Sequence, residues 1–214
     1  MVVTGRPREF DREAALDAAM RLFWRKGFQS ASMTDLCGVM RIRSPSLYAA
    51  YGSKEALYLE AINRYAETHG AALWDRVGTA ESARSGVEAM LMAATEMLPE
   101  SPDGPPGCMA MLAAVSDDWP AAITDAAREM RAGSLERLHS RLVAAVEDGE
   151  LPTDTDVDGT AQLFFGVFQG MAVQAKDGAS SQQLRKIAEG AMAAWPVASA
   201  GLEPLMRQPH ENFE

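Results

Sequence analysis

From Ala15 to Trp195 the apolar residues of this chain recur three and four positions apart, and no stretch alternates apolar with polar residues as a half-buried strand must. That period commits the chain to amphipathic helices, so the expected fold class is all-α. Capping residues, glycines and prolines divide the run. A first helix is expected over about Asp11–Lys26, with Ala15, Leu16, Ala19, Leu22 and Phe23 on its stripe and Gly27 as its stop. Ser32 with Asp35 three residues on forms a capping box, which satisfies backbone N–H groups at the start of a second helix ending near Met40. Ser44-Pro45 opens a third, to about Tyr51, because proline pushes its predecessor out of the helical region and itself suits the first helical position. Gly52 breaks it and Ser53 caps a fourth, about Lys54–Gly78, roughly 37 Å long at ~1.5 Å per residue. Five more are expected: one carrying Val87, Met90, Leu91, Ala94 and Leu98, then about Cys108–Val115, Pro120–Asp148, Asp156–Ala175 and Ser181–Trp195, making about nine.

Charge is unevenly spread along this periodic chain. The formal net charge is −10, yet residues 1–65 carry ten Lys and Arg against seven Asp and Glu, net +3, leaving −13 for the remainder. Phosphates would repel that remainder, so any contact with nucleic acid is confined to the N-terminal end and depends on salt. With 47% apolar residues the chain of 214 residues has enough to bury a core. Nothing near Met1 reads as an export signal, and no stretch approaches ~18 uncharged apolar residues, so a cytoplasmic location without membrane insertion is expected. Cys37 and Cys108 are then expected as free thiols.

Helices two and three, short and joined by a tight turn behind a longer first helix, have the outline of a helix-turn-helix. The run from Ala15 to Phe28, with Leu22-Phe23-Trp24-Arg25-Lys26-Gly27-Phe28 at its end, then Ser32-Met33-Thr34-Asp35-Leu36, then Ser46-Leu47-Tyr48-Ala49-Ala50-Tyr51-Gly52-Ser53-Lys54-Glu55-Ala56-Leu57, closely resembles the tetracycline-repressor (TetR) family over about residues 9–62. The resemblance implies an N-terminal three-helix DNA-binding domain (1–53), a larger helical ligand-binding and dimerisation domain (54–196), and a tail (197–214) whose lack of period predicts disorder. It puts Arg43, Ser44, Pro45 and Ser46 at the start of the recognition helix, Tyr48, Ala49 and Ala50 towards the major groove, and Lys54 on a phosphate. Leu47 and Tyr51 are expected to face inward. Arg6 and Arg8 would form an arm in the minor groove, and Thr34 is either a phosphate contact or only a helix-start residue. The chain departs from the pattern at Arg41, where glycine is usual, so the turn either holds a strained backbone or takes another path. Ala49 and Ala50 replace larger polar side chains, which shifts specificity onto Arg43, Ser44, Ser46, the arm or DNA shape.

Helix eight is apolar on more than one face, with Val157, Ala161, Phe164, Phe168 and Met171 on one side and Phe165, Gly166, Gly170 and Val173 on others. Gly166 and Gly170 would let a second backbone come close. The expected homodimer interface, a four-helix arrangement that the resemblance also implies, takes Phe165, Gly166, Gly170, Val173, Leu184, Ala188 and Trp195. The alternative is a core helix with small residues. Thirteen methionines are many: Met90, Met92, Met97, Met109, Met111, Met130 and Met171 fall in the expected sensor domain beside Trp119 and Phe168. Flexible thioethers and aromatic rings suit a small apolar or amphipathic effector, and Met90, Met109, Trp119, Met130, Phe168 and Met171 are the expected contacts, against ordinary core packing.

No chemistry competes with this reading. Asp154-Thr155-Asp156-Val157-Asp158-Gly159 begins like a calcium loop, but Phe165 stands where a bidentate Glu is required, so helix-start acids explain it better. His69, His139 and His210 lack ligand spacing, and there is no glycine-rich phosphate loop or nucleophile elbow, so no enzyme, cofactor or metal is expected. The expected function is a regulator, most simply a repressor released from a palindromic operator in double-stranded DNA by a small molecule. The rival is a helical ligand-binding or scaffold protein that has lost DNA binding.

Overall fold

The computed structural model describes residues 10–102, 104–113 and 119–196, and among them it has nine helices and no strand. They are α1 (Arg12–Ser30), α2 (Met33–Met40), α3 (Ser44–Tyr51), a long α4, α5 (Ala83–Met97), α6 (Met109–Leu112), α7 (Ala121–Glu147), α8 (Val157–Lys176) and α9 (Ser181–Met192). The fourth is one rod in three parts: Lys54–Tyr65, a single π turn over Ala66–Gly70, and Ala71–Thr79. Arg6, Arg8 and the expected tail lie outside the described residues.

Local chemistry accounts for most boundaries. Asp11 caps α1 through the N–H groups of Glu13 and Ala14, and Ser32 and Asp35 close the expected capping box on α2. Lys26 donates to Asp35 at 3.0 Å; that bond, with those from Ser32, holds the Asp35 carboxyl below its ordinary pKa. Gly27 breaks α1 with φ 75° and ψ 171°, but a short turn continues to Ser30 and carries Phe28 into the core. Asp156 caps α8, accepting from the Gly159 N–H at 2.9 Å, as expected of helix-start acids. The sixth helix is shorter than the predicted Cys108–Val115, ending at Leu112.

Arg41 adopts the strained option: its φ of 54° and ψ of 38° make it the one non-glycine residue in the left-handed region among those described. Relief of about 1–2 kcal/mol of steric cost, less about 0.4–1 kcal/mol of added chain entropy when unfolded, predicts that Arg41→Gly stabilises the protein by about 0.5–1 kcal/mol. A rise in the urea midpoint at unchanged slope checks this; a fall would show that the guanidinium or its stem contributes more than the strain costs.

One continuous core joins the two halves. Phe23 of α1 meets Tyr58 of α4 edge-on with centroids 5.0 Å apart, and Trp24 meets Tyr65 at 4.8 Å. Arg12 grips Glu60 through two bonds of 2.8 and 2.6 Å, and Arg64 binds Asp17 at 2.9 Å. The N-terminal end of α4 therefore moves with α1. Further on, Trp74 lies against Phe165 and Phe168, at 6.3 and 5.3 Å, while α9 packs on α5 and α8. Gly107 enters this core at φ 84°, where a Cβ would stand 2.6 Å from Leu112 and 3.0 Å from the Ala172 carbonyl. Its own carbonyl accepts from the Trp24 indole at 3.0 Å.

Candidate nucleic-acid interface and effector cavity

The turn and α3 present one exposed cationic and hydroxyl-bearing edge. Leu47 and Tyr51 are buried, and the Tyr51 hydroxyl donates to the Arg12 carbonyl at 2.8 Å, which fixes how α3 is rolled. That roll leaves Arg43, Ser44, Pro45, Tyr48 and Ala49 exposed, with Ser46 and Ala50 half-buried. Tyr48 is 49% exposed and so is not a core residue. Arg41 and Arg43 have no ion-pair partner among the described residues, and Thr34 is exposed on α2.

Lys54 opens α4 behind the Ser53 cap, where unpaired N–H groups and the helix dipole favour an anion. Its ammonium sits 4.4 Å from the centroid of the Phe28 ring, and partial burial there lowers its pKa. Nothing in the sequence pointed to that ring as its rest.

A cavity of about 370 Å³ lies between α4, α6, α7 and α8. Of the six residues expected to line it, Met130 and Phe168 do so; Met97 and Met111, from the wider methionine set, join them with Tyr65, Trp74 and Cys108. Met90, Met109 and Met171 are buried elsewhere in the core, because their helical positions point at neighbouring helices instead of the gap. Trp119 packs against Phe28 and Tyr58, with centroids 5.8 and 5.7 Å away, at the corner between α1 and α4. The Tyr65 hydroxyl donates to the Cys108 sulfur at 3.3 Å; burial pushes both the phenol and the thiol up in pKa, so both are neutral donors at pH 7. Both cysteines are free. Glu67 and Arg137 stand at the exposed edge. The π turn, which no sequence signal announced, forms part of this wall. A second hollow of about 630 Å³ opens on its other side, but Arg21, His69, Arg76 and Glu96 line it and an apolar molecule would have to desolvate them.

The expected interface residues divide. Phe165, Leu184, Ala188 and Trp195 are buried within the single subunit, Phe165 on Trp74 and Trp195 on Phe164, so their side chains are not available to a second copy. Gly166 and Val173 are exposed and Gly170 half-exposed; with Leu163 and Val167 they form one face of α8, opposite its core face.

A three-helix reading head on a larger helical body with an apolar cavity is the layout of a one-component transcription regulator. Comparison makes this definite: residues 15–61 match the family model "Bacterial regulatory proteins, tetR family" and residues 85–195 match "Tetracyclin repressor-like, C-terminal domain". The chain belongs to the TetR family of transcriptional regulators. It is similar to the HTH-type transcriptional repressor ComR of Escherichia coli, with 34% identity over 201 residues, 90% of this chain and 92% of that one. The repressor BdcR of Escherichia coli is 44% identical over 73 residues, covering 34% of this chain and 37% of BdcR. Among solved structures, a cysteine-substituted variant of the TetR-family regulator CifR, complexed with 26-bp double-strand operator DNA, is 40% identical with a TM-score of 0.85, covering 90% of this chain and all of that one. Among the described residues no helix is long and apolar enough to cross a membrane.

Proposed function

We propose that this chain is a homodimeric repressor of the cytoplasm that binds a near-palindromic operator and leaves it when a small apolar or amphipathic molecule enters the α4–α6–α7–α8 cavity. The observation that carries the reading is the roll of α3: Leu47 and Tyr51 are held inward while Arg43, Ser44, Pro45, Tyr48 and Ala49 face out beside the unpaired Arg41. Ser46 and Ala50 sit at the rim of that edge, Thr34 and Lys54 flank it, and Arg6 and Arg8 would extend it into the minor groove. ComR is named as a repressor and CifR is complexed with operator DNA, which supports carrying both properties to this chain. In a dimer formed on the Leu163, Gly166, Val167, Gly170 and Val173 face, two copies of α3 would reach successive major-groove faces roughly 34–36 Å apart, or a multiple of that.

A volume of about 370 Å³ is near the lower end of ligand sites, and suits a compact effector with one hydroxyl or carbonyl for Tyr65 and Cys108. Occupancy would act on the π turn of α4, the rod that carries Lys54, and a coupling of about 1–3 kcal/mol would suffice for release. An electrophoretic shift with the DNA upstream of the protein's own gene, titrated with salt, tests the whole reading. A steep salt slope is expected, and its absence would favour a scaffold that has lost DNA binding. Lys54→Ala is expected to weaken binding evenly across sequences and to reduce the slope by about one unit. Lost sequence preference at unchanged non-specific affinity would refute its phosphate role.

A further inference from the structure

We propose that Trp119 is a positioning residue for DNA binding: it backs the Phe28 ring, on which the Lys54 ammonium rests at the DNA-facing end of α4. The inference builds on the assignment of Lys54 to a phosphate. Phe28 is nearly buried and is braced from three sides, by Phe23 at 6.4 Å, Tyr58 at 5.4 Å and Trp119 at 5.8 Å. Phe23 and Tyr58 belong to the helices that Phe28 itself joins. Trp119 alone among the three lies outside α1 and α4, on the segment that leads into α7. It also touches Tyr58, one turn beyond Lys54 on α4, so its ring fills the corner between α1 and α4.

Trp119 stands two residues ahead of α7, the unbroken helix whose Met130, Gly133 and Ser134 line the cavity. Arg131 of α7 binds the Ala113 carbonyl at 2.8 Å and so ties α6, a second cavity wall, to the same helix. Most of the α4 wall, by contrast, lies at or beyond the π turn. A shift of α7 therefore reaches Phe28 through Trp119 without passing that interruption. A side chain that merely filled space would leave Lys54 where it is when removed; one that positions the ring would release the ammonium from it.

The test needs no known effector or operator. The four lysines of the purified protein, Lys26, Lys54, Lys176 and Lys186, are ¹³C-dimethylated, which keeps their charge, and observed by NMR. In the wild type the ring current of Phe28 should set the Lys54 signal apart. Trp119→Ala should move it towards the other three, and Trp119→Phe should retain it. Binding to a mixed-sequence duplex is then measured against salt for Lys54→Ala, Trp119→Ala and the double variant. Trp119→Ala should weaken binding up to about tenfold and lower the slope by up to one unit, and it should add nothing once Lys54 is gone. An unmoved Lys54 signal, or additive losses in the double variant, overturns the proposal. If Lys54→Ala itself leaves the slope unchanged while the signal moves as expected, the phosphate assignment has failed, and the proposal falls with it.

Discussion

With arginine in place of both Gly166 and Gly170, the protein is expected to lose the dimer proposed on the exposed face of α8, with the association constant falling by about three orders of magnitude or more. Neither glycine has any atom within 4 Å of where a Cβ would stand, so the subunit itself has room for the change. In a helix interior, replacing glycine even favours the isolated subunit by a few tenths to about 1 kcal/mol. A second copy pressed on the same face would meet two cationic side chains with no partner, and an unpaired buried charge costs about 3–5 kcal/mol, equivalent to two to four decades in affinity. Sedimentation velocity over a dilution series reads the change, and circular dichroism reports the fold. A monomer with undiminished helicity and much weaker operator binding supports the interface on α8. A dimer of unchanged affinity would place the contact elsewhere. Phe165, Leu184, Ala188 and Trp195 could not serve the same experiment, because their replacement would damage the subunit core.

Phe168→Ala is the second large effect, expected to lower the free energy of unfolding by about 3–5 kcal/mol. The side chain has no exposed surface, meets Trp74 edge-on at 5.3 Å and forms part of the cavity wall. Removing it loses the transfer free energy of the ring and enlarges a hollow that α4, α7 and α8 already hold open, so little collapse can recover the loss. Urea unfolding with an unchanged slope would isolate the stability term. A loss under about 1 kcal/mol would mean that the neighbouring helices close on the gap, and that the cavity is softer than its packed wall implies. A variant that keeps its fold should also bind DNA normally and lose only its response to effector.

The DNA-reading half was legible because its determinants are local. The Ser32–Asp35 box, Pro45 and Ser53 act on backbone groups within a turn of themselves, and each stands at the helix start where it was expected; Asp11, expected as the first residue of α1, caps it instead. The inward positions of Leu47 and Tyr51 followed from the same short-range period. The larger helical half was less legible. A methionine list marks which residues suit a pocket wall but not which face of a packed helix meets the gap, and only Met130 and Phe168 of the six met it. Trp119 was assigned to the cavity for its chemistry and belongs instead to the corner beside Phe28.

By itself, the order of amino acids determined the nine helices found among the described residues, the reading head and the two-faced character of α8, since period and capping are properties of neighbouring residues. Tertiary structure alone decided which face of α8 was left exposed, where the hollow opened, that α4 takes a π turn beside it, and that the Lys54 ammonium rests on Phe28. Those outcomes depend on how helices distant in sequence share one filled volume, and no residue carries that information in its own neighbourhood.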